Sequence, residues 1–535
     1  MSSSSSDAVA AGRGFLVIAG SKAYFILSAA TISLGLPRLF GDPARFGEYR
    51  VVNGFATLLN MVVVTAGMQA TARVLALGPG AVKASATAGA LLALAIGVAI
   101  ATLGPTIAGS LLNDPSLASP VALTAAVVSA YALYGVVVGV FNGARRFVGQ
   151  ALLDITFSTL KLVLVVGAVA AGFGLTGAIL GFAGSVVLAM LVGVIALSRS
   201  PLRETADGEP VRITTVLVVM APFLGTQLLT NLLIQLDGIA VKSLLADPLS
   251  AASAADLSGL AAALGIPDPG LAEPKRVIDW VSGVFGGAKN IALLPYQATF
   301  ALTLVVFPLV TEASRGGDPD RSRAAARGSL RFTALLGGVV VAAAIGPAEP
   351  ILGFLFGPGY MQAGAGLRFL LVSGVLLSLL SVLVVVLNAS GREGLGLLVT
   401  ATAVLSSGLT VTLALSAPTE SGTGLFLRLG LASCVSIFVG TLVGALALRR
   451  ALGPVVPWSS LLRVAVALAA SWAVGALVPG QGLVAVGLGV LSGTATYGLV
   501  LIGTRELGPA DLGVIRRIVA RRSSSKVKSS SKVKS

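Results

Sequence analysis

The chain has 535 residues, 55% hydrophobic and 11% charged, with 37 Lys and Arg against 22 Asp and Glu. Soluble globular domains carry about 25% charged residues, so a soluble fold is excluded, and a mean hydropathy of +0.95 agrees. There is no His, and the one Cys, Cys434, lies in an apolar run. Histidine proton relays, Ser-His and Cys-His pairs, a disulfide framework and thiolate metal clusters therefore drop out, and no Walker loop is present. The net charge of +15 sits in loops and the C-terminal tail. That placement reads as orientation and contact with anionic membrane lipids, not nucleic acid.

A short polar leader (Ser2–Ser6, Asp7) precedes an uncleaved first helix, because no small-residue cleavage site follows it. Apolar runs predict fourteen spans, at 14–36, 48–71, 84–111, 119–141, 151–171, 175–198, 213–236, 289–311, 329–347, 365–389, 394–416, 423–448, 459–478 and 481–503. Basic residues alternate between the connections. The even ones hold Arg73 and Lys83, Arg145 and Arg146, Arg199, Arg203 and Arg212, Arg315 to Arg327, Arg392, and Arg449 and Arg450. The odd connections after spans 3, 5, 9 and 13 hold none, while the one after span 1 holds Arg38 and Arg45, partly offset by Asp42. Both termini are therefore expected in the cytoplasm.

The halves of the chain repeat. VVVTAGMQATAR (Val62–Arg73) resembles LVVFPLVTEASR (Leu304–Arg315), FNGARR (Phe141–Arg146) resembles LNASGR (Leu387–Arg392), and LTGAI (Leu175–Ile179) resembles GTGLF (Gly422–Phe426), at offsets of 242, 246 and 247. The expected fold is an all-α polytopic membrane protein with about fourteen transmembrane helices. A six-helix lobe at 1–200 and a second at 212–450 are related by an axis along the membrane normal. Two additional helices follow at 458–504, then a basic disordered cytoplasmic tail at 505–535. An extracytoplasmic insertion at 246–288 interrupts the second lobe, with Glu273–Gly286 as a short amphipathic helix and Trp280 at the membrane interface.

Polar residues inside apolar spans are the functional candidates, since lipid offers them no partner. On span 7, Gln227, Asn231 and Gln235 recur every four residues, about 40° apart around a helix, and Asp237 follows. This stripe is expected to face protein or a water-filled lumen, with Asp237 either holding a coupling proton or cation or neutralising Lys161 or Lys242. On span 5, Asp154 and Lys161 lie seven residues apart, about 20° from one another on one face, and Lys161 is too deep to snorkel easily. Lys22 lies in span 1. Arg331 and Arg368 lie just inside spans 9 and 10, where snorkelling to the interface competes with a lumen role. Several cations facing one cavity would attract phosphate or pyrophosphate.

The chain resembles the oligosaccharide flippase (polysaccharide biosynthesis protein) family of the multidrug/oligosaccharidyl-lipid/polysaccharide exporter superfamily. The resemblance is carried by LPRLFGDPARFGEYRVVNGF (Leu36–Phe55), GARRFVGQALLDITFSTLKLVLVVGAVAAGFGLTGAILG (Gly143–Gly181), FPLVTEASRGGD (Phe307–Asp318) and LFGPGYMQAGAGLRFLL with LNASGREGLG (Leu355–Leu371, Leu387–Gly396). It implies a monomeric, two-lobed transporter in a bacterial inner membrane. Such a protein turns a polyprenyl-pyrophosphate-linked oligosaccharide across the bilayer by alternating access, without a cofactor or bound metal, for surface polysaccharide assembly. Lys22, Lys161 and Asp237 then fall on lumen-facing helices. The first lobe has no clear match to the arginine-rich pattern of peptidoglycan lipid II flippases. The alternatives are a multidrug or cation antiporter of the same superfamily and a lipid-carrier-dependent polymerase or ligase. The latter would need catalytic groups in the one large outer loop, which offers Asp256, Asp268, Glu273 and Asp279.

Overall fold

The computed structural model describes residues 3–199, 209–299, 319–416, 421–480 and 482–508, with side chains from residue 20 onward. The Phe307–Asp318 stretch, the second copy of the first repeat motif and most of the tail lie outside these residues. Among the described residues there is no strand, and fourteen helices are long and apolar enough to cross a membrane.

We number these α1 (Ser3–Phe40), α2 (Pro43–Val74), α3 (Ala81–Thr106), α4 (Ala118–Gly143), α5 (Phe147–Ala170), α6 (Gly174–Ser198) and α7 (Ile213–Leu244). Then follow α8 (Pro274–Ala292), α9 (Pro319–Ile345), α10 (Gly364–Ala389), α11 (Glu393–Ser416), α12 (Gly422–Leu452), α13 (Trp458–Ala476) and α14 (Leu483–Gly503). Local chemistry sets the tight turns. Between α1 and α2 the chain reverses at Gly41, which has a positive φ of 71°. Asp42 then caps α2 by accepting from the Ala44 amide at 2.9 Å, with Pro43 in the first turn where its missing N–H costs nothing.

Helix neighbours repeat with a shift of six. In the first lobe α1 packs on α5, α3 on α4, α4 on α6 and α5 on α6; in the second α7 packs on α11, α9 on α10, α10 on α12 and α11 on α12. The lobes meet where α2 lies beside α7 and α8. Connections after odd-numbered helices gather on one face, where Asn113 donates to the Ser243 carbonyl at 3.1 Å and Arg38 donates to that of Phe354. Even connections gather on the other, where the Val211 amide bonds the Pro79 carbonyl and Arg73 stacks on Phe223.

The eighth span differs from its sequence expectation. It starts at Pro274, not at 289, and reaches Thr299. The amphipathic helix expected to lie at the interface is its first half, and Trp280 is only 4% exposed. The physical reason is its position: this span has the lowest hydropathy of the fourteen, 1.2, and the highest share buried inside the protein, 83%. A helix wrapped by other helices tolerates Lys275, Asp279, Ser282 and Lys289 where a lipid-facing one does not. The connection from α7 is shorter than the expected insertion and carries helices at Ala246–Ser250 and Ala254–Ala263. Asp279, expected in an outer loop, is a buried residue of α8.

The two additional helices pack on α9 through small residues. A Cβ on Gly338 would strike the ring of Tyr497, whose hydroxyl donates to the Leu335 carbonyl at 3.1 Å. Just beyond α14, Glu506 accepts from Arg331 at 2.7 Å and Arg463 at 2.8 Å. Burial pushes the Glu506 carboxyl up, but its bonds from Arg331, Arg463 and Ser460 outweigh that and hold it below its ordinary value. A depressed folded-state value contributes stability above the ordinary glutamate value of about 4.3, and that contribution is lost as pH falls below it. Thermal stability is therefore expected to fall on acidification in this range, and Glu506→Gln to flatten that part of the profile.

Candidate functional site

The polar stripe of α7 ends in an ion cluster at the junction of the lobes. Asp237 is buried, and its Oδ1 is contacted by Lys289 Nζ from α8 and by the Gly238 amide at 2.8 Å. Its Oδ2 accepts from Ser433 of α12 at 3.1 Å. Lys289 also donates to the Ile234 carbonyl and is only 6% exposed. Arg50, reaching in from α2, is close enough to interact electrostatically with both Asp237 and Lys289. Its stem crosses Gly286, where an added Cβ would lie 2.6 Å from the arginine Cγ.

Two cavities flank Lys289. One, with water-sized space of about 20 Å³, is lined by Asp237, Ser373, Ser407, Ser433 and Ser436 of the second lobe. The other, with about 10 Å³, lies between the lobes and is lined by Arg50, Gln235, Ser282 and Gly286. Lys289 belongs to both walls. Arg50 and Lys289 share the wall of the interlobe cavity and only Lys289 is paired with a carboxylate, so that side carries net positive charge at low dielectric, which favours an anion. The opposite side offers a carboxylate ringed by hydroxyls. Neither cavity admits an oligosaccharide headgroup with the lobes in this arrangement.

The sequence candidates distribute as follows. Gln235 and Asp237 fall within the cluster. Asn231, one turn earlier, donates to the Gln227 carbonyl at 2.9 Å and meets the Gln227 Oε1 at 3.4 Å. In the first lobe, Lys22 pairs with Asp154 at 2.8 Å. Nearby, Ser28 donates to the Ser158 carbonyl at 2.9 Å and the Tyr24 and Thr159 hydroxyls bond at 2.9 Å. Lys161 pairs with neither Asp154 nor Asp237; its ammonium lies over the Phe182 ring, 3.6 Å from the centroid. That ring packs edge-on against Tyr131, which also meets Phe157. Cation–aromatic contact of this kind is worth about 0.5–2 kcal/mol. Lys22 and Lys161 thus belong to an α1–α5–α6 cluster separate from Asp237. Lys242, the other partner considered for Asp237, instead bridges Asp114 and Asp279. Arg331 is engaged by Glu506, and Arg368 donates to Glu349 at 2.6 Å and faces Trp472. Both therefore hold helix ends around α9.

Arg50 and Lys289 escape the sequence reading. Lys289 sits where the hydropathy profile begins the eighth span, and Arg50 sits two residues inside the second; both resemble span-edge residues that reach for the interface. The usable signal for Lys289 is the strongly amphipathic stretch that precedes it.

No family model matches the chain, and no curated protein matches it. Solved structures do. One is of the lipid II flippase MurJ in an inward closed conformation: 14% identical, TM-score 0.67, covering 92% of this chain and 98% of that one. Another is an inward-facing multidrug resistance MATE family transporter of the MOP superfamily, 15% identical, TM-score 0.59, covering 78% and 97%. A third is a MOP superfamily transporter from Pyrococcus furiosus, 16% identical, TM-score 0.55, covering 81% and 95%. The chain has the fold of this superfamily's transporters.

Proposed function

We propose that this membrane protein is a flippase that carries a polyprenyl-pyrophosphate-linked oligosaccharide across a bacterial cytoplasmic membrane by alternating access, with both termini cytoplasmic. The observation that carries the reading is the cavity between the lobes, whose wall holds Arg50 of one lobe and Lys289 of the other, with Lys289 paired to Asp237. A diphosphate entering between the lobes meets a planar guanidinium and an ammonium suited to phosphate oxygens. When Lys289 turns to the diphosphate, Asp237 and the hydroxyls of Ser433, Ser407 and Ser436 lose their resident cation. A proton or sodium ion then takes that place, which ties headgroup entry to ion binding. Lys161 adds positive charge on α5 for the remainder of the headgroup, with Lys22 beside it available on release from Asp154. The basic even connections support an orientation with the odd-loop face outside.

The test is reconstitution in liposomes with a fluorescent polyprenyl-diphosphate saccharide. Wild type is expected to move the lipid between leaflets, and Arg50→Gln to slow it at least tenfold with unchanged insertion. Equal rates in both would refute the reading. A multidrug antiporter is the second reading. It is favoured by one feature, a buried carboxylate in each lobe, Asp154 and Asp237, which suits an organic cation. Uptake of such cations that depends on Asp154 would establish it.

A further inference from the structure

We infer that Glu48, Asp114, Lys242, Lys275 and Asp279 form a charge lock between the lobes that closes the odd-loop face, and that breaking it opens that face to water. The inference rests on the alternating-access reading but not on the identity of the cargo.

Glu48 of α2 and Asp114, which precedes α4, belong to the first lobe; Lys242 of α7 and Lys275 and Asp279 of α8 belong to the second. Lys242 Nζ meets Asp114 at 2.8 Å and also contacts Asp279. Lys275 meets Glu48 at 2.9 Å, Asp114 at 3.7 Å and the Ser116 hydroxyl at 2.8 Å. Lys242 is 2% exposed and Asp114 4%. Asp114 is fixed in advance, because it accepts from the amide and hydroxyl of Ser116 at 3.2 and 2.6 Å. The carboxylates of Glu48, Asp114 and Asp279 cluster closely enough for a metal ion, but two lysine ammoniums supply the counter-charge. Just below, the backbones of α2 and α8 touch. A Cβ on Gly283 would run into the Pro43 carbonyl, and one on Gly47 into that of Asp279.

The pattern of partners indicates a gate. Lys242–Asp279 lies within one lobe and survives separation; Lys242–Asp114 and Lys275–Glu48 cross between lobes and must break. Once parted, each half presents charges that water solvates readily. The closure at the even-loop face is built differently, from Ala66, Ala70, Val74, Ala81, Ala84 and Ala88 against Val216 and Met220. Apolar surfaces of that kind cost free energy when wetted. The two faces therefore differ in what holds them shut, and the odd-loop face is the one whose closure depends on charge.

The test places spin labels at Ser110 and Glu273, on opposite lobes at this face, in the full chain carrying Cys434→Ser in lipid nanodiscs. Asp114→Asn and Lys242→Met are each expected to at least double the long-distance population seen without them. Glu48→Gln and Lys275→Gln, at the more exposed pair, are each expected to raise that population as well. This pair keeps the test decisive if the buried variants fail to fold. Unchanged distributions in the folded variants would overturn the lock. A protein that moves no lipid-linked saccharide but still opens on Asp114→Asn would refute the cargo and retain the gate.

Discussion

Lys289→Met is expected to abolish transport and to destabilise the protein by about 3 kcal/mol, because removing one partner of a buried ion pair strands the other charge. Asp237 keeps the Gly238 amide and the Ser433 hydroxyl, and Arg50 remains within electrostatic reach, so the cost falls at the lower end of the usual range. Combining Lys289→Met with Asp237→Leu removes both charges. That double variant is expected to regain thermal stability to within about 1 kcal/mol of wild type, since apolar replacement of a buried pair is often neutral. Transport is expected to stay lost, since the diphosphate then has only Arg50. Thermal unfolding in detergent and the liposome assay separate the two effects. Recovery of transport in the double variant would show that the pair only packs helices.

Gly283→Val is the second large effect. The new side chain has no room, because the obstructing atoms are the Pro43 carbonyl and the Gly47 amide, both backbone. Helices α2 and α8 must separate, at a cost of about 1–3 kcal/mol by the measure of overpacked cores. The strain sits at the odd-loop face, so separation is expected to appear as opening there and as impaired transport. Gly286→Ala meets only the flexible stem of Arg50 and is expected to alter transport with little change in stability. Gly225→Ala, with nothing within 4 Å of the added carbon, is expected to be silent or slightly stabilising. If all three variants behaved alike, close backbone approach would not be what the glycines provide.

The fourteen spans and the six-helix repeat are legible in the sequence because lipid selects long apolar runs and duplication preserves their order. The start of α8 is not. Hydropathy presumes a lipid-facing surround, and α8 is enclosed by the lobes, so its charges delay the apparent start of the span to Lys289. The same error removes Lys289 from the candidates and assigns Asp279 to a loop. Within the site, Asp237 and Gln235 stand out because a carboxylate and an amide in an apolar span need partners. Their partners come from α2, α8 and α12, and no spacing rule on α7 identifies those. Asp154 and Lys161 share a helix face by spacing, yet Lys22 from α1 reaches Asp154 and Lys161 turns to Phe182. Periodicity locates a face; which neighbour covers it is set by tertiary packing.

The proposed flippase must receive an anionic diphosphate at the lobe interface. The most direct measurement is native mass spectrometry of the full chain with farnesyl diphosphate, farnesol and an organic cation of similar size. Farnesyl diphosphate is expected to be retained, inorganic pyrophosphate to displace it, and Arg50→Gln and Lys289→Met each to weaken its binding at least tenfold. Retention of the cation instead, lost on Asp154→Asn or Asp237→Asn and indifferent to Arg50, would contradict the flippase reading.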